Sequence, residues 1–210
     1  YSPHPDNNEV DVGPGIVLSW TPGAYAVSHD VYFGTNQSDV NDAVARLGDI
    51  DISGKIDFGD IELLAVQWLT SGPSADIDGD GDVNLIDFAG VGKDWGKDSF
   101  YKGNQIGNTY YPSGVEFGQT YYWRIDEVND AEANSPWKGD VWSFSVPPKT
   151  AYYPDPADAA EMVAPDVTLS WTGGFGSKLH TVYFGENFDE ENNAAGGLTQ
   201  GNATYAPGRL

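Results

Sequence analysis

The stretch YSPHPDNNEVDVGPGIVLSW, residues 1–20, occurs a second time without a gap as YYPDPADAAEMVAPDVTLSW, residues 152–171. Two more blocks recur in the same order: HDVYFGTN at 29–36 with HTVYFGEN at 180–187, and TYYPSG at 109–114 with TYAPG at 204–208. An internal repeat indicates that one structural unit is built twice. The first copy is much longer between its last two blocks, so the excess, residues 46–100, is predicted to be a module inserted into an exposed loop.

The repeat itself predicts antiparallel β-strands, because apolar side chains recur at every second position between Gly and Pro turns. Four strands each place such a set on one face: Ile16, Leu18 and Trp20; Val31 and Phe33; Tyr121, Trp123 and Ile125; Trp142, Phe144 and Val146. Several short strands in a repeat of this length are typical of a sandwich. We therefore predict a mainly β fold made of sandwich repeats, with these faces forming the core.

The motifs LSWTPGA, HDVYFGT, TYYWRIDEVN and WKGDVWSFSV resemble fibronectin type III-like (immunoglobulin-like) domains, in the version common in surface and secreted proteins of planctomycete-type bacteria. The resemblance implies a discontinuous first domain, 1–45 plus 101–147, and a second repeat at 148–210. It also implies a non-catalytic spacer or adhesive role at the cell surface or outside the cell.

The second repeat is shorter than the first, because nothing in it corresponds to the strands predicted at 119–128 and 139–146. Without those strands a set of apolar side chains is expected to face water and to form a partner-binding surface: Val167, Leu169, Trp171, Val182 and Phe184. Two explanations remain open. Either the chain is a fragment of a longer protein, or strands from a neighbouring copy or another protein complete the repeat. Head-to-tail completion does not close on itself and predicts a filament.

The inserted module contains two acidic loops, within GDIDISGKIDFGDIELLAVQWL at 48–69 and ADIDGDGDVNLIDFAGVGKDW at 75–95. Counted from the first Asp, the candidate metal ligands fall at positions 1, 3, 5, 7, 9 and 12 of each loop. They are Asp49, Asp51, Ser53, Lys55, Asp57 and Asp60, then Asp76, Asp78, Asp80, Asp82, Asn84 and Asp87, with Lys55 and Asp82 offering their backbone carbonyls.

Hard oxygen ligands in flexible loops of this length suit Ca²⁺, and Gly54 and Gly81 stand at position 6, where the loop turns sharply. Two copies in register predict two Ca²⁺ sites. The first site is expected to be weaker, because Ser53 is neutral and Lys55 brings a positive charge. Ile56 and Val83 at position 8 are apolar, as a short strand that pairs the two loops would require.

An apolar segment after each loop predicts a helix. After the first loop, apolar residues fall at i, i+3, i+4 and i+7: Ile61, Leu64, Ala65 and Trp68. Further apolar residues cover the other sides: Leu63, Val66 and Leu69. Such a helix is usually buried on two sides. One side is expected to meet the second helix, and the other either the rest of the chain, which we favour, or a partner.

The paired loops and helices resemble a dockerin over residues 46–98, and Asp at position 12 fits that family better than an ordinary EF-hand. The resemblance implies an α-helical, EF-hand-like insert that binds two Ca²⁺ ions. It also implies that residues at loop positions 10 and 11 bind a cohesin on another protein. These positions hold Phe58 and Gly59 in the first repeat, and Leu85 and Ile86 in the second.

The composition excludes several functional classes. A formal net charge of −22 argues against nucleic acid and anionic membranes as partners and agrees with calcium-rich surroundings. With no Cys there are no disulfides and no thiol chemistry. No apolar run approaches the length of a membrane-spanning helix, so we expect no membrane insertion.

No catalytic residue emerges from the sequence, since neither a nucleophile motif nor a phosphate-binding loop is present. His29 and His180 are repeat equivalents and are interpreted as structural, and Arg124 is expected to pair with Asp126 on the sheet surface. The sequence thus predicts a non-enzymatic, extracellular, calcium-stabilised structural or adhesion protein that self-assembles. The alternative is a docking module that binds a cohesin-like partner through Phe58, Leu85 and Ile86.

Overall fold

The computed structural model describes residues 1–43, 48–71, 74–97, 99–194 and 196–208. These residues are mainly β, in several antiparallel sheets, with a few short helices. The strands are β1 Leu18–Ser19, β2 Ser28–Gly34, β3 Tyr101–Gln105, β4 Thr109–Tyr110, β5 Thr120–Val128, β6 Val141–Ser145, β7 Tyr152–Asp155, β8 Leu169–Thr172, β9 His180–Val182, β10 Leu198–Gln200 and β11 Thr204–Tyr205. The helices are α1 Gln37–Asp42, α2 Phe58–Val66, α3 Leu85–Lys93 and α4 Phe188–Asn192.

The chain divides into two units, Tyr1–Val115 with Thr120–Ser145 and Glu116–Gln119 with Val146–Leu210. The acidic loops and their helices belong to the first unit. The predicted start of the insert, residue 46, lies outside the described residues.

The first unit contains a four-stranded antiparallel sheet in the order β3-β2-β5-β6 and a separate pair, β1-β4. Aromatic rings pack between the two sheets. The ring centroid of Trp20, directly after β1, lies 6.2 Å from that of Trp123 on β5, and the centroid of Phe33 on β2 lies 6.3 Å from that of Tyr110 on β4. Sheets that face each other across such a core are consistent with a β-sandwich.

The predicted strand faces are confirmed in the first unit. The inward-facing residues are all buried: Leu18, Trp20, Val31, Phe33, Tyr121, Trp123, Ile125 and Phe144. Ile16 and Trp142, at the ends of their sets, are only partly buried. The alternation succeeds because successive side chains of a strand point to opposite sides of the sheet.

Arg124 and Asp126 pair as expected, but the prediction that they pair on the surface is wrong, since both are buried. The guanidinium donates to both carboxylate oxygens, at 2.8 and 2.9 Å. It also donates at 2.7 Å each to the carbonyls of Val40 and Ala43, at the carboxyl end of α1. Because α1 covers this face of β5, the Arg124–Asp126 ion pair lies buried between the helix and the sheet.

The segment of the two acidic loops has its own small core beneath α2 and α3: Ile50, Ile56, Leu64, Ala75, Val83 and Val91. The prediction that Ile56 and Val83 pair with each other is wrong. Ile56 instead exchanges hydrogen bonds with Gly96 and Lys97 after α3, while Val83 does so with Leu69 and Thr70 after α2. Each loop is therefore pinned to the segment that follows the other repeat's helix.

The helices themselves form as predicted, although Trp68 lies beyond the end of α2. The expectation that the rest of the chain covers the second apolar side is wrong. Val66 and Leu69 are 80% and 77% exposed, so within the described chain this side meets solvent.

The second unit contains a three-stranded sheet, β11-β8-β7, and a pair, β10-β9. Between residues 148 and 208, no described hydrophobic side chain is buried. In the described part of the chain, no helix has both the length and the apolar character that crossing a membrane requires.

Candidate metal centre

Each acidic loop ends in a capped helix start. Asp57 is the N-cap of α2 and accepts the Gly59 N–H at 2.9 Å, while Asn84 is the N-cap of α3 and accepts the Ile86 N–H at 2.8 Å. The third helical residue, at loop position 12, reaches back to the N-cap backbone in both repeats, which completes a capping box. The sequence therefore fixes where both helices begin.

The carboxylates at position 12 also tie the two ends of each loop together. One oxygen of Asp60 accepts the Ile50 N–H at 2.6 Å, and one oxygen of Asp87 accepts the Ile77 N–H at 2.6 Å. Both aspartates are fully buried, and each also accepts a second loop N–H at 3.2 Å. The two loops thus share one hydrogen-bond plan.

Carboxylate oxygens converge inside both loops. In the first loop, oxygens of Asp49, Asp51 and Asp60 lie within 4.8 Å of one another. In the second, the converging carboxylates are those of Asp76, Asp78 and Asp80, at positions 1, 3 and 5, whereas the first group occupies positions 1, 3 and 12. Three carboxylates at this spacing repel one another strongly unless a cation lies between them.

The remaining predicted ligands line the same loops in less central places. Ser53 donates its hydroxyl to the Lys55 carbonyl at 3.1 Å, and the Asn84 amide donates to the Asp82 carbonyl at 3.0 Å. The side chains of Lys55 and Asp82 are exposed, which suits residues that would contribute only a backbone carbonyl. Gly54 and Gly81 take positive φ, at 94° and 98°, as position 6 requires.

The pKa shifts reflect this crowding. Burial is the main cause that raises the pKa of Asp49, and the carboxylates of Asp60 and Asp51 add to it. At Asp78 the Asp80 N–H lowers the pKa, but burial and the neighbouring carboxylates outweigh it, so the pKa is raised. Burial would likewise raise the pKa of Asp87, but the backbone N–H groups that it accepts hold its pKa below the usual range.

One atom tests whether these residues suit a cation. The Oδ1 oxygen of Asp49 is buried and accepts no hydrogen bond. The hydroxyl of Ser99 is near enough to lower the Asp49 pKa in part, but its position falls short of hydrogen-bond geometry. A buried carboxylate oxygen without a donor is costly, and coordination to a metal removes that cost. An all-oxygen donor set of this kind fits a hard cation such as Ca²⁺.

The first loop is also attached to the segment that leads into β3, which the sequence did not reveal. The Gly54 carbonyl accepts the Ser99 N–H at 2.7 Å, and the Lys102 ammonium of β3 donates to the Ser99 carbonyl at 3.2 Å. Lys102 thus adds a second positive charge beside the first loop, in addition to Lys55. The available sequence signal was that Lys102 lies directly after the predicted insert, residues 46–100.

The predicted partner-binding residues fall in two places. Phe58, Leu85 and Ile86 lie at the starts of α2 and α3 and are 74%, 69% and 60% exposed. The second set lies in the second unit, where Phe184 is exposed and the others are partly buried: Val167, Leu169, Trp171 and Val182.

What the loops and these surfaces can do must be inferred from their own residues, because comparison with known proteins yields no relative. No family model, no curated protein and no solved structure matches this chain.

Proposed function

We propose that the chain is a non-catalytic, extracellular structural or adhesion protein, stabilised by two Ca²⁺ ions and built from fibronectin type III-like repeats with a dockerin-like insert. The proposal is carried by the convergence of carboxylate oxygens to within 4.8 Å in two loops with the same hydrogen-bond plan. Extracellular modules of this type bind Ca²⁺ with dissociation constants of about 10⁻⁴ to 10⁻³ M, which suits surroundings where Ca²⁺ is abundant.

Asp49, Asp51 and Asp60 would hold one ion, and Asp76, Asp78 and Asp80 the other, with Asp57, Asn84 and Asp87 nearby. A bound ion neutralises the carboxylates, so that their mutual repulsion no longer opens the loops. In the first loop it also fixes the Gly54 carbonyl, which accepts the Ser99 N–H. Ca²⁺ therefore stabilises both the insert and its attachment to the sandwich, because the free energy of binding adds to that of folding.

Assembly is the second part of the proposal. Between residues 148 and 208 no described apolar side chain is fully buried, and strands supplied by a neighbouring molecule would complete the burial of Val167, Leu169, Trp171, Val182 and Phe184. Such head-to-tail completion generates a fibre or filament on the cell surface. Neither nucleic acid nor a membrane interior is a suitable partner for a chain with a net charge of −22.

Calcium titration and light scattering test the two parts separately. Calorimetric titration of the metal-free chain is expected to reveal two sites, the weaker in the first loop, and absence of binding would contradict the calcium proposal. Light scattering is expected to detect large assemblies in millimolar calcium that dissociate in chelator. A monomer under both conditions would contradict self-assembly and leave the calcium sites standing.

The alternative function, docking to a cohesin-like protein, is favoured by the exposure of Phe58, Leu85 and Ile86. Under this alternative the module anchors a larger secreted protein, and the chain stays monomeric in calcium. Replacing Leu85 and Ile86 by Ala would then strongly weaken binding to a cohesin domain without changing calcium affinity. The same double substitution leaves calcium-dependent assembly intact if the structural function is correct.

A further inference from the structure

A polar groove crosses the outward face of the four-stranded sheet in the first unit and shares no residue with the acidic loops. It consists of two adjoining depressions of about 680 and 440 Å³, which have Asn7, Gln37 and Val141 in common. Each volume lies within the range of about 300 to 1,000 Å³ that ligand sites usually occupy. Because the depressions share these residues, they form one elongated groove.

The floor of the groove comes from strand residues that point away from the sandwich core. On β5, Thr120 and Tyr122 alternate with buried core residues, and their partners across the strand pair are Ser145 and Ser143 of β6. All four are partly buried, and the hydroxyls of Thr120 and Ser145 form a hydrogen bond of 2.8 Å. The floor therefore combines hydroxyl groups with a partly accessible aromatic ring.

Side-chain amides line the rest of the groove, and the fold fixes the orientation of two of them. Asn7 Oδ1 accepts the Ser143 backbone N–H at 3.0 Å, and Asn8 Oδ1 accepts the Ser143 hydroxyl at 2.9 Å. Because both amide oxygens are engaged, their amide nitrogens are left to donate, and neither has a partner among the described residues. The Gln37 amide, at the start of α1, is exposed and likewise makes no hydrogen bond within the described chain.

The second repeat indicates that the fold does not require these amides. A side chain that the backbone plan requires is expected to recur in both copies, as the helix N-caps Asn36 and Asn187 do. The groove amides have no amide at the equivalent positions: Asn7 aligns with Asp158, Asn8 with Ala159 and Gln37 with Phe188. The amides are therefore a feature of the first unit alone and are available for binding.

The lining favours a neutral ligand that is rich in hydroxyl groups. Among the described residues of both linings, Asp140 is the only charged one, so no cationic side chain is present to bind a phosphate or carboxylate. The net charge of −22 repels anions further. Amides and hydroxyls donate and accept hydrogen bonds, as sugar hydroxyls require, and the Tyr122 ring offers an apolar face to the C–H groups of a sugar ring.

A peptide strand suits the groove less well, because the neighbouring strand edge is already occupied. Residues 7–12 run along the outer edge of β6 and exchange backbone hydrogen bonds with it. The Asn8 N–H donates to the Ser143 carbonyl at 2.8 Å, and the Ser145 N–H donates to the Glu9 carbonyl at 2.9 Å. A ligand in the groove therefore meets side chains, and an added strand would find no free backbone edge here.

We propose that this groove binds a neutral oligosaccharide, with hydrogen bonds from Asn7, Asn8 and Gln37 and with a sugar ring packed on Tyr122. The two depressions accommodate successive sugar units of one glycan chain. The inference goes beyond the proposed function and is independent of it, because no predicted calcium ligand and no residue of the second unit lines the groove.

A glycan array probed with the labelled full chain tests the class of ligand. The array carries neutral glucans, mannans, xylans and galactans together with sulfated glycans and glycans that contain uronic acids. Binding is expected to at least one neutral glycan and to none of the anionic ones. Absence of binding to every neutral glycan, or binding confined to anionic glycans, would overturn the inference.

Substitutions in the groove test whether the bound glycan lies there. In calorimetric titration with a soluble oligosaccharide of the best-bound class, Asn7→Asp and Gln37→Ala should each weaken binding about three- to tenfold. Asn7→Asp keeps the oxygen that accepts the Ser143 N–H, so it removes a donor to the ligand without disturbing the fold. Tyr122→Ala should weaken binding to a similar degree, whereas Tyr122→Phe keeps the ring and should bind normally.

Asp39→Ala is the matched control, because Asp39 is exposed on the same turn of α1 as Gln37 but lines neither depression. Its affinity for the oligosaccharide should equal that of the wild type, and equal affinity of all the groove variants would overturn the inference. Calcium titration of the same proteins separates the two proposals. Calcium binding without glycan binding would contradict only this inference, and glycan binding without calcium binding would contradict only the proposed function.

Discussion

Replacing Asp78 by Asn is expected to change the stability of the first unit in opposite directions with and without calcium. Asp78 Oδ1 accepts the Asp80 N–H at 3.1 Å, and an asparagine oxygen keeps that hydrogen bond. The substitution therefore removes a charge and a potential metal ligand while the loop backbone keeps its partner. Because crowding raises the pKa of Asp78, its charge destabilises the metal-free loop at neutral pH. Asp78→Asn should then raise the melting temperature slightly in chelator.

In calcium the effect reverses and is larger. A site with a dissociation constant of about 10⁻⁴ M contributes about 2.7 kcal/mol when free calcium is a hundredfold higher, at about 10 mM. Loss of one of three convergent carboxylates that weakens the site about a hundredfold leaves roughly 0.4 kcal/mol of that contribution. The difference corresponds to a fall in melting temperature of about 5 to 9 °C for a unit of this size.

Asp82→Asn is the matched control. It removes the same charge from the same loop, but the Asp82 side chain is exposed and does not belong to the converging group. Its effect in calcium should stay within about 0.5 kcal/mol. Calorimetric melting of the wild type and both variants, in calcium and after metal removal, decides the matter. Equal losses in calcium for the two variants would refute a calcium site in the second loop. A loss for Asp78→Asn in chelator would instead refute the argument that crowding makes the Asp78 charge unfavourable in the metal-free loop.

Three further predictions concern the first unit. Since the pKa of Asp49 is raised in the fold, its contribution is most favourable below the ordinary Asp value and is lost as pH rises through the raised one. Metal-free protein should therefore lose stability as pH rises from about pH 4 through the raised pKa of Asp49, and calcium should reverse that trend in melting curves. Arg124→Met leaves Asp126 buried without the guanidinium and should cost about 3 to 5 kcal/mol in denaturant unfolding. The double variant with Asp126→Leu should recover only part of that loss, because the Val40 and Ala43 carbonyls and the Gly139 N–H lose their partners. Leu64→Ala should cost about 2 to 5 kcal/mol and weaken calcium binding, which an unchanged titration would contradict.

Local patterns predicted those features that depend on neighbours in sequence. Period-two alternation identified buried residues such as Val31 and Trp123, because a strand sorts its own side chains onto two faces. Loop spacing brought the predicted ligands into two groups for the same reason, since a twelve-residue loop with a glycine turn can only fold back on itself.

Features that depend on distant elements were not predictable. An arginine is normally expected at the protein surface, and Arg124 is buried only because α1 packs over β5. The pairing of Ile56 with the segment after α3 follows from how two helices pack, which no spacing within one loop encodes. The attachment of Gly54 to Ser99 likewise depends on where the insert leaves the sandwich.

Comparison of the two repeats indicates that the alternation of a strand does not determine whether another strand covers it. HDVYF and HTVYF have the same alternation, yet Phe33 is covered and its equivalent Phe184 is not. The pattern of β2 specifies the chemistry of its cover, but the cover comes from β5, almost one hundred residues later in the chain, as the 98-residue separation of His29 and Glu127 illustrates. Loop-closure entropy grows only slowly with such separation, so a covering strand can lie far from the strand that it covers in the chain. The alternation of a strand therefore specifies the chemistry of the segment that covers it, but not the place of that segment in the chain.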